Sequence, residues 1–162
     1  MGLARNGRHD FCPEGKPMPR RLNLSLKKVH ALEATRIAIG NQKLVYVLLA
    51  DKNFNYPYGR SAIAYIGTTK KGVARVAGSM AARSEEILSC HGVKKVTARI
   101  LTCSPRRNVK TWRKLERALL LMFRSEYGSV PSVNSQGKKM KETDEFSYFS
   151  REAIRKTIHK LG

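Results

Sequence analysis

Leu44 to Ala50 is a nearly unbroken apolar run, LVYVLLA, set between Lys43 and Asp51. Its shortness and its lack of polar alternation predict a strand buried on both faces. A second run, Ala62–Thr68, predicts another strand, with Ile63, Tyr65 and Gly67 on one face and Ala64 and Ile66 on the other. The eleven residues between them, about Asp51–Ser61, interleave Phe54, Tyr56 and Tyr58 with Lys52, Asn53, Asn55 and Arg60. They are expected to form a hairpin loop whose aromatics either stack on bases or fold back onto the sheet edge.

Gly72–Arg83 carries apolar residues at helical spacing (Val73, Val76, Ala77, Met80), with Arg75 and Arg83 elsewhere on the circumference. Ser84-Glu85-Glu86 is expected to start a separate short turn. Val93–Cys103 alternates as a third strand, Val96, Ala98 and Ile100 against Thr97, Arg99 and Leu101, and closes on the basic turn Ser104–Asn108.

The next helix, about Val109–Tyr127, has an apolar stripe of Trp112, Leu115, Leu119, Leu120 and Phe123. Glu116 lies on that stripe, one turn from Trp112 and from Leu120. A carboxylate on an inward face is costly unless it is paired or binds a cation. Glu116 is therefore either salt-bridged to a basic neighbour or a site residue that holds a metal.

Beyond Gly128 come Val130-Pro131-Ser132-Val133-Asn134 and a basic tract, Lys138-Lys139-Met140-Lys141. Phe146–Phe149 is expected as a short edge strand. Ser150 should cap a last helix, Arg151–Leu161, that docks through Ala153 or Ile154, Ile158 and Leu161. Before the first strand, Pro13, Gly15, Pro17 and Pro19 break any element, and a helical pattern runs from about Leu24 to Ile39. The expected organisation is a basic arm with a short helix over 1–42 and a folded domain over 43–162.

Charge narrows the partner. The 162 residues hold 32 Lys+Arg against 12 Asp+Glu, a formal net charge of +20. So one-sided a surface repels itself unless it meets a polyanion, and nucleic acid is the expected one. An anionic membrane is the competing partner, but no basic amphipathic helix with bulky anchors stands out. The apolar runs fall far short of the roughly 20 residues that span a bilayer. The amino terminus, MGLARNGRHDFCPEGK, shows no signal-peptide core, and three cysteines point to a reducing, cytoplasmic setting. His9 and Cys12, like Cys90 and His91, lack the paired spacing of a zinc site.

Five positions then fall into a recognisable order. Tyr46 sits in Leu44-Val45-Tyr46, and Tyr65-Ile66-Gly67 ends the second strand. Arg75 follows eight positions after Gly67, Glu116 lies on the apolar helix, and Asn134 comes eighteen residues later. Over residues 44–134 this layout resembles the GIY-YIG nuclease family. The resemblance implies an α/β fold of the α+β kind, a three-stranded antiparallel sheet flanked by helices. It also implies a Mg²⁺- or Mn²⁺-dependent endonuclease acting on duplex DNA.

In that reading Glu116 holds the metal, and Arg75 forks onto the non-bridging phosphate oxygens. Tyr46 is the general base, which requires the site to lower a phenol pKa that normally lies near 10. Tyr65 holds the water or the phosphate, and Asn134 braces the metal or the site backbone. Arg60, Lys70, Lys71, Arg106, Arg107, Lys110 and Arg113 are the candidates for holding the duplex backbone.

The chain departs from the family pattern at three points. Leu44 replaces the first glycine, the tyrosines lie nineteen residues apart, which lengthens the hairpin, and Ser79 stands where many members have His or Tyr. The shortness of the chain after the core suggests a compact restriction-type or phage-type enzyme, with a homodimer as one way of cutting both strands. The competing reading is a non-catalytic basic nucleic-acid-binding protein in which Glu116 is a structural ion pair. A nuclease fold without activity is a third, for which Ser79 is the hint.

Overall fold

The computed structural model describes residues 40–162, together with 24–26, 28 and 37. The expected amino-terminal arm, most of its helix and the His9/Cys12 pair lie outside the described residues. The chain divides into two units, residues 1–35 and 36–162, and the elements below belong to the second.

In order these are β1 (Leu44–Tyr56), β2 (Gly59–Thr69), α1 (Gly72–Leu88), β3 (Val96–Leu101), α2 (Thr111–Tyr127), α3 (Glu145–Tyr148) and α4 (Arg151–Leu161). The strands form one antiparallel sheet in the order β2-β1-β3. As the central strand, β1 has both faces covered, so Leu44–Leu48 is buried throughout. Val45 and Val47 pack with α2 and α4 through Leu119, Phe123, Ile154 and Ile158. Leu44, Tyr46 and Leu48 pack with α1 through Val76 and Ile87. Burial of such side chains contributes about 1.5–3 kcal/mol each. Among the described residues no helix is long and apolar enough to cross a membrane.

Four expectations are corrected. The segment expected as a loop, 51–61, is mostly strand: β1 and β2 pair out to Tyr56↔Gly59 and turn through Pro57-Tyr58. Phe54 and Tyr56 fold inward, and the Tyr56 ring meets Phe123 edge-on at 5.1 Å. Only Tyr58 of the three aromatics stays out, 75% exposed.

Strict alternation along β2 also fails. The register shifts so that Leu48 faces Tyr65 and Leu49 faces Ile63, which leaves Ala64 as an extra residue. Such a bulge throws the following side chains to the opposite face. Ile63 and Ile66 therefore both enter the α2 layer, while Ala64 and Tyr65 join the α1 layer.

Helix α1 runs on through Ser84-Glu85-Glu86 to Leu88, with no Gly or Pro after Gly78 to stop it. The Ser84 hydroxyl donates back to the Ala81 carbonyl at 2.9 Å instead of capping a new turn. The residues expected as an edge strand, Phe146–Phe149, instead form the helical turn α3 and the residue that ends it. At this spacing both phenylalanines reach the α2 layer.

Candidate active site

Tyr46 and Gly67 are register partners across β1 and β2, and Tyr65 lies two residues before Gly67 on the same strand. The two tyrosine rings tilt together with centroids 5.9 Å apart. A Cβ placed on Gly67 would come within 2.8 Å of the Tyr65 hydroxyl and 2.9 Å of the Tyr46 hydroxyl. Glycine is thus required at this position by space, since any side chain would displace both phenol groups. The result is a pair of hydroxyls gathered over one bare stretch of backbone.

The segment after α2 holds β2 in place along its outer edge. The Val133 N–H donates to the carbonyl of Ala64, the bulge residue, at 3.0 Å. Asn134 Oδ1 accepts from the Ile66 N–H, and its Nδ2 donates to the Ile66 carbonyl, both at 2.8 Å. The Ser132 N–H donates to the Tyr56 hydroxyl, which itself donates to the Ile63 carbonyl. Asn134 is buried, and both polar ends of its side chain are engaged with the strand that carries Tyr65 and Gly67.

Helix α2 brings Glu116 to this edge. Its periodic apolar stripe fixes the rotation of the helix, and Gly128, left-handed at φ 79°, ends it with an N–H bond to the Arg124 carbonyl. Among the described residues Glu116 forms no ion pair, although acidic partners elsewhere on α2, α3 and α4 are well matched to Lys and Arg. Burial pushes the Glu116 carboxyl up to about 7, against the opposing pull of Arg113 and Arg117. Its charge also reaches Tyr65. The Tyr65 phenol is raised chiefly by burial, further by the Tyr46 hydroxyl and by Glu116, with Arg83 opposing.

Arg75 is exposed on α1 and lines a cleft of about 280 Å³ with Thr68, Thr69, Lys70, Lys71, Trp112 and Arg113. Its guanidinium has no ion pair among the described residues. Trp112 and Arg113 stand one helical turn before Glu116, so the cleft borders the tyrosine–glutamate group. Ser79, one turn after Arg75, is buried under α1.

All seven cations considered for duplex binding are exposed. Lys70, Lys71 and Arg113 gather in the cleft, and Arg106, Arg107 and Lys110 lead into α2. Arg60 is at the other end of β2, on the order of 30 Å away by strand rise.

Arg83 had not been placed in the site from the sequence. Its guanidinium lies 4.0 Å from the centre of the Tyr65 ring and donates to the Val133 carbonyl at 3.3 Å. The spacing Arg75, Ser79, Arg83, one turn each, is the signal that could have found it. Arg83 therefore links Tyr65 to the same segment that carries Asn134.

A metal in this place would rest on one carboxylate, because among the described residues no group of three or more His, Cys, Asp or Glu could hold an ion. That donor set fits Mg²⁺, which keeps several waters and takes further oxygens from phosphate. A half-buried carboxylate without an ion pair among the described residues is the group that such an ion would stabilise. Comparison with known proteins found no family model, no curated protein and no solved structure that matches the chain.

Proposed function

We propose that this chain is a GIY-YIG-type nuclease that hydrolyses phosphodiester bonds in DNA with the help of Mg²⁺ or Mn²⁺. The observation that carries the reading is the meeting of two tyrosine hydroxyls over Gly67, within electrostatic reach of a carboxylate, Glu116, that has no ion pair among the described residues. A structural glutamate would be expected to have a basic partner, as Glu145 has in Arg117.

The parts divide the work as follows. The bound metal would neutralise charge on the phosphate and polarise its oxygens. Glu116 holds the ion when ionised. The raised pKa of Tyr65 keeps its phenol protonated, so it donates a hydrogen bond to the phosphate or to the attacking water. Tyr46, 3% exposed and fixed by the central strand, would act as the phenolate: it takes the proton of that water as the water oxygen bonds to phosphorus, and the departing sugar oxygen takes its proton from solvent. Arg75, which has no ion pair among the described residues, forks its guanidinium onto the non-bridging oxygens. Arg83 and Asn134 position Tyr65 and the Ile66 backbone without touching the substrate.

The +20 charge supports DNA binding but would equally suit a non-catalytic binder. Glu116 separates the two readings. Incubating supercoiled plasmid with the protein in Mg²⁺ and in EDTA is the test. Metal-dependent nicking or linearisation is expected, and retardation without cutting in any divalent ion would support the binder.

A further inference from the structure

The cleft beside the tyrosine–glutamate group has a wall chemistry that the cleavage step does not use up. Among the described residues four cations line it, Lys70, Lys71, Arg75 and Arg113, and no carboxylate does. None of the four takes part in an ion pair among the described residues; the cations that do are Lys114, Arg117, Arg151, Arg155, Lys156 and His159. Like charges crowded into a concavity repel one another unless an anion sits between them.

Two further features point the same way. Lys71 is the residue before α1, whose first turn carries no acidic side chain and whose amino end has no side-chain cap. The positive end of a seventeen-residue helix therefore adds to the cationic field of the cleft. Thr69, 6% exposed, accepts from the Lys71 N–H at 2.9 Å, and its own hydroxyl hydrogen has no acceptor among the described residues.

Trp112 forms a wall of the same cleft and is 7% exposed. Its indole N–H is the one buried side-chain polar group among the described residues that has no hydrogen-bond partner. Lys43 lies over the indole ring at 4.7 Å and adds a fifth positive charge at the rim. A buried donor without a partner costs about 1–3 kcal/mol; the N–H is shut off from the open cleft, so a phosphate oxygen reaches it only if the wall shifts.

We infer that this cleft holds a second phosphate of the bound nucleic-acid strand, one that flanks the phosphate being cut. This rests on the nuclease reading for the identity of its ligand. Arg75 is shared by the two places, and Trp112 and Glu116 lie one turn apart on one face of α2. A strand seated in the cleft thereby presents its neighbouring phosphate to the tyrosines and Glu116. The subsite sets the register of the strand against the reacting group, while base identity plays no part in it.

The chain contains a single tryptophan, so one indole resonance in a ¹H–¹⁵N spectrum reports on the cleft. The full chain would be titrated in EDTA with inorganic phosphate and, separately, with an uncut DNA duplex. The Lys70→Gln/Lys71→Gln variant would be run alongside; both positions are exposed, and the rest of the spectrum verifies its fold. The expected result is a shift of the indole resonance with both probes and at least tenfold weaker binding of each by the variant.

A shift with phosphate but none with the duplex would overturn the inference, leaving the cleft as a site for free phosphate. An indole that ignores both probes, in a protein that still cuts plasmid with Mg²⁺, would overturn it while leaving the nuclease reading intact. A duplex-induced shift, weakened in the variant, in a protein that never cuts would support the strand-phosphate subsite and sink the hydrolytic reading instead.

Discussion

Asn134 closes a two-bond ring with the backbone of Ile66, accepting from its N–H and donating to its carbonyl at 2.8 Å each. Ile66 sits between Tyr65 and Gly67, so a side chain from beyond α2 fixes the strand on which the two hydroxyls converge. Asn134→Asp keeps the acceptor but turns a second oxygen against the Ile66 carbonyl. We expect it to cost about 2–3 kcal/mol of stability and to lower kcat roughly 100-fold through misplacement, with duplex affinity little changed. A metal-ligand role for Asn134 predicts the reverse for the ion, tighter Mg²⁺ binding by the aspartate. Melting temperature followed against Mg²⁺ concentration separates the two.

Glu116 has a carboxyl raised from an ordinary 4.5 to about 7 by burial. A raised pKa means that the folded state favours the protonated form. Its contribution is full below about pH 4.5 and is lost as pH rises through 7. Without metal, Glu116→Gln is therefore expected to melt higher than wild type at pH 8, by about 2 kcal/mol, and to match it at pH 4. Addition of Mg²⁺ at pH 8 should stabilise wild type and leave the variant unmoved. Equal melting of the two proteins at both pH values would show that Glu116 is paired after all.

Glu145 behaves in the opposite way. Burial alone would raise its carboxyl, but the Arg117 guanidinium and the Thr143 N–H and hydroxyl hold it at about 2. With a depressed pKa its contribution is present above about 4.5 and is lost as pH falls toward 2. Glu145→Gln should cost about 2–3 kcal/mol near neutral pH and almost nothing near pH 2. Urea melts at the two pH values measure this, and a constant penalty would contradict it.

Much of the architecture was legible from residue pattern. The unbroken apolar run marked β1 as a strand buried on both faces, and the stripe from Trp112 to Phe123 gave α2 with Glu116 on its face. The Ala64 bulge was not legible, because Ala and Ile are equally acceptable on either layer of a covered sheet. Nor was the length of the hairpin: Asn and Lys at exposed positions read as a loop, whereas the pairing resumes at Phe54↔Ser61 and runs to Tyr56↔Gly59, with Tyr56 turned inward. The partner of Asn134 lies 68 residues away in sequence, and no local signal encodes such a contact. The cleft has the same origin, since Thr68–Lys71, Arg75 and Trp112-Arg113 meet only through the packing of α1 and α2 at the end of β2.

Arg83 is held between the Tyr65 ring and the Val133 carbonyl, and in the proposed nuclease it positions Tyr65. Arg83→Leu is expected to lower kcat about tenfold with KM nearly unchanged, and Arg83→Lys to recover part of the loss. The chemical shifts of the Tyr65 ring should move in the leucine variant. A change in KM alone would make Arg83 a DNA contact.

Hydrolysis through the paired tyrosines depends on a single oxygen that can be removed. Tyr46→Phe keeps the buried ring and its packing while deleting the hydroxyl that meets Tyr65 over Gly67. The measurement is the rate of plasmid nicking in Mg²⁺, with duplex affinity recorded for the same preparations. Unchanged affinity and cleavage at least 100-fold slower are expected. Cleavage by Tyr46→Phe at the wild-type rate would contradict hydrolysis through the paired tyrosines.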